Sequence, residues 1–583
     1  MKRLLLIVAC LIATMATQAR QAQSPDGRLR VELKKGRYAV SFKGQRVLTF
    51  TAAECAPITG KPVRITADYT MIAGKRRHCS NEANEYRCGH LVLRLYNDGL
   101  ALRTTELPAL QQEHTAYHIA DGTRRWMLPW TDSYEGFFPL TTTAHDGRWA
   151  YPALLEPADG LFALITEADI SRGQSASSLH CKGEDYQVVP DQCLSTQETT
   201  DTPWRVVIIG TLADVVQSTL VTDVAAPCRI SDTSWIEPGT VSWIYWAHNH
   251  GSSDYRIICQ YVDMAVSLHM PYVLIDAEWD EMKDGKTIED AVAYARRRGI
   301  RPLIWYNSSV GWVNGAPGPK YRLNNAEDRE REFAWCERIG VAGVKIDFFS
   351  GDTQQNMDYC LDLLESAARH HLLVNFHGAT IPRGWQRTWP NLLTTEGVYG
   401  AEWYNNVPTF TSRAARHNAT LPFTRNVVGP MDYTPCTFSD SQHPHITTHA
   451  HELALTVLFE SGLQHLADRP ESYLAQPSEV QQLLSQLPAA WDDSRLVDGY
   501  PGDYAVMARR SGCRWYVAGI NGTDEARQLS LSRLPTLVGT ATRVILFADG
   551  DTQPWTISHP QALPNNIRCK PRGGFLMVVD TRE

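Results

Sequence analysis

The sequence predicts a multidomain α/β and β protein. A central (β/α)8 TIM barrel is flanked by an N-terminal antiparallel β-sandwich and a small C-terminal β-sandwich. Three observations carry this. Residues 21–230 hold short runs that alternate with period two and break at turns such as Asn97-Asp98-Gly99. From Ser234 onward, apolar strand-like runs alternate with helical patterns, eight times over. From about residue 490 the period-two alternation returns. The boundaries fall at 1–19 for a leader, 20–230 for the first sandwich, 231–488 for the barrel and 489–583 for the second sandwich.

The leader has Lys2 and Arg3, an apolar run to Met15 and small residues ending at Ala19. That is a secretory signal pattern, too short for a membrane span, with cleavage after Ala16 or Ala19. The run before Cys10 is very short for a lipoprotein acceptor. The protein is therefore expected in the periplasm or outside the cell. No later segment offers the roughly 18 apolar residues that a spanning helix needs. The net charge is −8 and no long basic run exists, so nothing suggests a nucleic-acid partner.

In the first sandwich the strands read from stretches such as "RLRVELKKGRYAVSFKGQRVLTF" and "GLFALITEADI". In the barrel they read from Val241, Pro271, Arg301, Gly343, Leu373, Leu392, Phe423 and Gly462. Helices are expected over 254–268, 287–298, 326–339 and 355–370, the second opening on a capping-box pair, Thr287 and Asp290. Pro382 and Pro390 leave no room for a full helix between the fifth and sixth strands. Removing the leader leaves twelve of the thirteen cysteines. Cys79 with Cys88, and Cys181 with Cys193, are expected as disulfides of an exported chain, and Cys259, Cys336 and Cys360 as buried thiols. The histidines of "HPHITTHAHE", from His443 to His451, read as a solvated cluster.

Active sites of such barrels lie at the C-terminal strand ends. Here those ends carry acids interleaved with aromatics: Asp276, Trp305, Asp347, Glu396 and, six residues later, Glu402. Asp276 in "LIDAEW" and Asp347 in "VKIDFF" have almost wholly apolar neighbours, a costly placement for a carboxylate without a task. Paired carboxylates with aromatics point to glycoside hydrolysis, in which one acid protonates the leaving oxygen and a second carboxylate attacks or stabilises the anomeric carbon. A metal-dependent amidohydrolase is the more distant alternative. It would use His248, His250, His377 and Asp468, but it also wants a His where Glu396 stands. A plain sugar-binding module is a third reading.

At "DTSWIEPG", "ITEADI", "LIDAEW", "LIWYN", "GVKIDFF", "NFHGA" and "RTWPNLLTTEGVYGAEWYN" the sequence resembles glycoside hydrolase family 97 over nearly the whole mature chain. The resemblance implies a retaining branch, because Asp347 matches its nucleophile and Glu402 its acid/base, while Gly378 follows His377 where the inverting branch has its Glu base. It implies α-galactosidase activity on a terminal glycoside, with β-L-arabinopyranosidase or α-glucosidase activity as the alternatives in the family. It also implies a calcium ion, with Glu167 and Glu396 at ligand positions. Asp276, Trp305, Asn375 and His377 are the expected sugar contacts.

Overall fold

A computed structural model describes residues 21–582, apart from 53–54, 109–112, 193–198, 284, 405–406 and 441–442. The leader and Cys193 lie outside the described residues.

The N-terminal part is two antiparallel sheets, of eight and nine strands. The strands at the centre of the larger sheet, Leu161–Ala168 and Trp204–Gly210, are buried along their whole length. They read as continuous apolar runs because both of their faces are covered. Cys79 and Cys88 are free thiols at two points of one strand, His78–Cys88. Nine residues of extended chain separate them by roughly 30 Å, so the expected bond between them is impossible.

The central sheet is parallel. Its strands are β1 (Gly239–Trp243), β2 (Tyr272–Ile275), β3 (Arg301–Asn307), β4 (Gly343–Asp347), β5 (Leu373–Phe376), β6 (Leu392–Thr395) and β7 (Leu463–Leu466). They pair in the order β6-β5-β4-β3-β2-β1-β7, so the wall runs almost fully round. Four helices pack outside it: α1 (Tyr255–Ser267), α2 (Ile288–Arg297), α3 (Ala326–Ile339) and α4 (Gln354–Arg369). The Thr287–Asp290 capping box of α2 forms as expected, and α3 stops at Gly340 in the left-handed conformation. Between β5 and β6 only a four-residue helix fits, Trp385–Thr388.

The strand expected from Phe423 is absent. Residues 421–427 form two 3-10 turns instead. Pro422 and Pro430 cannot donate to a ladder. The Arg425 side chain does the work of one: its buried guanidinium donates to the carbonyls of Thr395, Glu396, Gly397, Gly429 and Pro430. Single backbone bonds, Asp432 to Thr395 (3.1 Å) and Gly462 to Leu393 (3.0 Å), close the rest of the gap between β6 and β7.

The C-terminal part is a six-stranded antiparallel sheet with a two-stranded companion. It packs on the barrel helix His449–Leu458, whose last carbonyls accept from the buried Arg509. His451 in that helix is fully buried with its ring nitrogen 3.1 Å from Asn418, so this member of the histidine cluster is structural, while His443, His445 and His449 are partly exposed.

Candidate active site

The loops after the first six strands share one backbone feature. Each turns through a residue with φ near +45° to +70°: His250, Glu278, Ser309, Phe348, Gly378 and Gly397. The four that are not glycine each hold a conformation costing roughly 1–3 kcal/mol, and such strain gathers at functional sites.

Asp347 ends β4 with its side chain at the floor of this face, 7% exposed. Its Oδ1 accepts from the Phe348 amide (2.8 Å), and its Oδ2 accepts from the Trp305 indole (3.1 Å). Lys345 stands two residues earlier on the same face of the strand, with Nζ 3.6 Å from Asp347 and 3.1 Å from Asp276. Burial opposes its charge, but Asp276 and Asp347 outweigh burial and hold the ammonium well above its ordinary range. Asp276 is fixed in turn by the indole of Trp243 (2.8 Å). One lysine thus ties the ends of β2 and β4 together. Gly378 closes over this corner, where a Cβ would lie 3.2 Å from Asp347 Oδ1 and 3.0 Å from the Phe348 amide.

Across the pocket is a group of acids. Glu396 follows β6 and accepts from the Gly378 amide (2.7 Å). Glu402 sits in the 3-10 turn Ala401–Tyr404, and its buried Oε2 has no hydrogen-bond partner. Glu135 comes from the N-terminal sandwich and accepts from the Trp403 indole (2.6 Å). Burial and mutual repulsion push all three acids toward the protonated form. Glu402 reaches about 8 although Lys345 opposes the shift, Glu135 reaches about 7, and Glu396 is raised well above its ordinary value.

His377 borders this group. Its Nε2 donates to Asp432 (2.7 Å), which also accepts from Asn375 (2.7 Å) and lies 2.8 Å from His465. Burial and Lys345 lower the tendency of the imidazole to take a second proton. Its Nδ1 lone pair therefore faces Glu396 at 3.5 Å and Glu402 at 4.0 Å. Acceptors facing acceptors need a proton or a cation between them. One ligand atom each from His377, Glu396 and Glu402 falls within 4.8 Å of the others. Two carboxylates beside one imidazole make a donor set that could take a hard divalent cation.

Glu167 is not in this group. It is fully buried, and guanidiniums take both of its oxygens, Arg383 on Oε1 (2.7 Å) and Arg205 on Oε2. Ser177 adds two further donors. A carboxylate clamped between two fixed cations is a poor ligand for a third, so Glu167 does not fit the ion-binding position expected of it. Its network serves another purpose. Arg383 also donates to Asp352 (2.9 Å) and to the hydroxyl of Tyr134 (2.5 Å), the neighbour of Glu135. Glu167 locks the sandwich to the barrel and sets the loop that delivers Glu135.

The expected residues Asp347, Glu402, Asp276, Trp305, Asn375, His377 and Glu396 are linked in one cluster by Asp432 and by Lys345 and Glu135, which sequence reading missed. The spacing of Lys345 from Asp347 on one strand face could have found it. No local signal marks Glu135, whose place depends on docking of two domains. The amidohydrolase ligands do not assemble: His248 pairs with the hydroxyl of Tyr261 (2.9 Å), and His250 with Glu278 (2.6 Å).

Comparison with known proteins agrees with this architecture. The profile "Glycosyl-hydrolase 97 N-terminal" matches residues 22–227, "Glycoside hydrolase 97" matches 235–398, and "Glycosyl-hydrolase 97 C-terminal, oligomerisation" matches 490–580. A "Probable retaining alpha-galactosidase" of Streptomyces bingchenggensis is 36% identical over 92% of this chain and 86% of its own. A "Retaining alpha-galactosidase" of Bacteroides thetaiotaomicron is 26% identical over 94% of each chain. The crystal structure of a β-arabinopyranosidase superposes with a TM-score of 0.87 at 26% identity, covering 96% of this chain and 99% of that one. With a relative this similar over almost its full length, and with all three parts matched in order, the chain belongs to glycoside hydrolase family 97.

Proposed function

We propose that this enzyme is an exported retaining α-galactosidase working by double displacement. The observation that carries the reading is the corner where Gly378 meets Asp347. The end of β5 has no side chain to offer there, so the carboxylate facing the sugar comes from β4. Asp347, oriented by Trp305 and the Phe348 amide, attacks the anomeric carbon to form a glycosyl ester. Glu402, held protonated near neutral pH by its surroundings, gives its proton to the leaving oxygen. Glu402 then takes a proton from water, which attacks the same carbon and releases Asp347. Lys345 and Asp276 sit where sugar hydroxyls would reach them, and Asn375 and His377 are held in place for contact by Asp432.

Glu396 and His377 would hold a calcium ion beside Glu402, whose carboxyl is left to carry its proton. When bound, the ion supplies positive charge that offsets the repulsion among these acids. The two named α-galactosidases favour galactose as the sugar. The β-arabinopyranosidase neighbour favours a second reading, because the two sugars share ring stereochemistry. Export rests on the leader at residues 1–19, and no helix among the described residues is long and apolar enough to cross a membrane. A panel of p-nitrophenyl glycosides tests the reading: α-galactoside, β-L-arabinopyranoside and α-glucoside, each with and without chelator. The α-galactoside should be cleaved fastest, and preference for the α-glucoside would overturn the assignment.

A further inference from the structure

Away from Asp347 and the acids opposite it, a cavity of about 510 Å³ opens where the three parts of the chain meet. Phe137 and Leu140 come from the first sandwich, Arg413 and Arg416 from the barrel helix Pro408–Asn418, and Gly502 and Arg572 from the C-terminal part. That volume suits one or two small rings. The chain carries a net charge of −8, yet arginines outnumber acids along this wall.

Two of the arginines are spent. Arg124 donates to Glu156 (3.1 Å) and Arg572 to Asp524 (2.6 Å). Asp503, the other acid of the wall, lies 3.8 Å from Arg527. Arg413 and Arg416 are different. Among the described residues, no carboxylate pairs with either guanidinium and no acceptor takes its N–H groups, although Asp524 feels the charge of Arg416. Both are nonetheless placed. Arg413 lies over the ring of Phe137, 5.1 Å from its centroid. Arg416 runs along Gly502, where a left-handed backbone (φ +86°) without a side chain leaves it room: a Cβ there would stand 3.6 Å from Arg416 Cγ. The Gly502 amide donates to the Ala419 carbonyl at the end of the helix (3.1 Å), which fixes the two against each other.

A placed guanidinium with no acceptor suits a planar carboxylate. The rest of the wall says what should carry that carboxylate. Pro139 and the 50% exposed Leu140 offer an apolar surface. Asp503 and Asp524 keep lone pairs that can accept from hydroxyl groups, and their charge disfavours a polyanion. One ring with a carboxylate, several hydroxyls and an apolar face meets all three demands. We infer that this junction cavity is a second saccharide site that takes a hexuronate, with its carboxylate on Arg413 and Arg416, its hydroxyls on Asp503 or Asp524 and its apolar face on Leu140. The site is separate from the hydrolytic pocket and does not depend on the sugar assigned there. Its wall does reach the acids: Phe137, close in the chain to Glu135, meets Tyr399, close in the chain to Glu402, edge to face at 5.1 Å.

Ligand-observed NMR titration of the full chain tests this with methyl β-D-glucuronide and methyl β-D-galacturonide, and with methyl β-D-glucoside as the neutral control. At least one uronide should bind, roughly tenfold or more tighter than the glucoside. In the double variant Arg413→Gln with Arg416→Gln that affinity should fall roughly tenfold or more, as charge-assisted bonds are lost. The melting midpoint reports that the variant is folded, and if it drops, each single Gln variant is read with the same outcomes. Arg413→Lys with Arg416→Lys keeps the charge without the planar fork and should recover part of the binding. No binding of either uronide, equal affinity for the glucoside, or uronide binding untouched by the Gln variants overturns the site. Acetate that competes as strongly as a uronide binds also overturns it, because the cavity would then select an anion and no sugar.

Discussion

Replacing Glu167 by Gln separates the two roles weighed for it, ion ligand and domain clamp. Glu167 accepts from Arg383 Nε (2.7 Å), Arg205 Nη1, the Ser177 amide (3.0 Å) and the Ser177 hydroxyl (2.5 Å). A glutamine keeps the shape but has one acceptor oxygen. Its NH2 group must face either a guanidinium or Ser177, donor against donor. At least one charge-assisted bond is lost and one buried donor is left without an acceptor, which together cost about 3–5 kcal/mol. Arg205 keeps Glu113 and Arg383 keeps Asp352, so the fold should survive in weakened form. The assay is a melt of the calcium-loaded protein beside a calcium titration. Glu167→Gln should melt earlier and bind calcium nearly as the native protein does, whereas Glu396→Gln should bind calcium far more weakly. Native-like melting of Glu167→Gln with lost calcium affinity would refute the reasoning and return Glu167 to the ion.

Gly378→Ala should cost activity well beyond its effect on folding. A Cβ there lies 3.2 Å from Asp347 Oδ1 and sits at φ +48°, so the variant should remain folded, lose stability by about 1–2 kcal/mol and lose most of its kcat, read by melting and initial rates. Chelation should destabilise the protein in a pH-dependent way. Glu135 and Glu402 rise from 4.5 to about 7 and about 8 in the metal-free fold. Raised acids favour folding fully below their unfolded value and lose that contribution as pH climbs through the folded one. Chelator should therefore lower the melting midpoint little at pH 5 and strongly at pH 8, and an equal drop at both would contradict the acid-cluster account.

Much of this molecule was legible in its residues. The barrel strands are covered on both faces and so read as apolar runs, and the acids that interrupt such runs, Asp276 and Asp347, meet at Lys345. The opening cap of α2 was written in Thr287 and Asp290. Three things were not legible, each because a side chain far along the chain decides it. Arg425 replaces a strand by bonding to carbonyls on both sides of a gap, and no periodicity announces that. Glu167 looks like Asp347 in sequence, an acid among apolar residues, yet its partners Arg205 and Arg383 make it a domain clamp. Glu135 enters the pocket only because that clamp places its loop. The Cys79–Cys88 expectation failed because proximity in sequence was mistaken for a loop where the chain is fully extended.

The central claim is that Asp347 is the group that attacks the sugar. The direct measurement is rescue of Asp347→Gly by azide on an activated aryl α-galactoside, with the product identified by NMR. Loss of hydrolysis without azide, restored turnover with it, and β-galactosyl azide as the product are the predicted result. Native-like hydrolysis in the absence of azide would contradict the account.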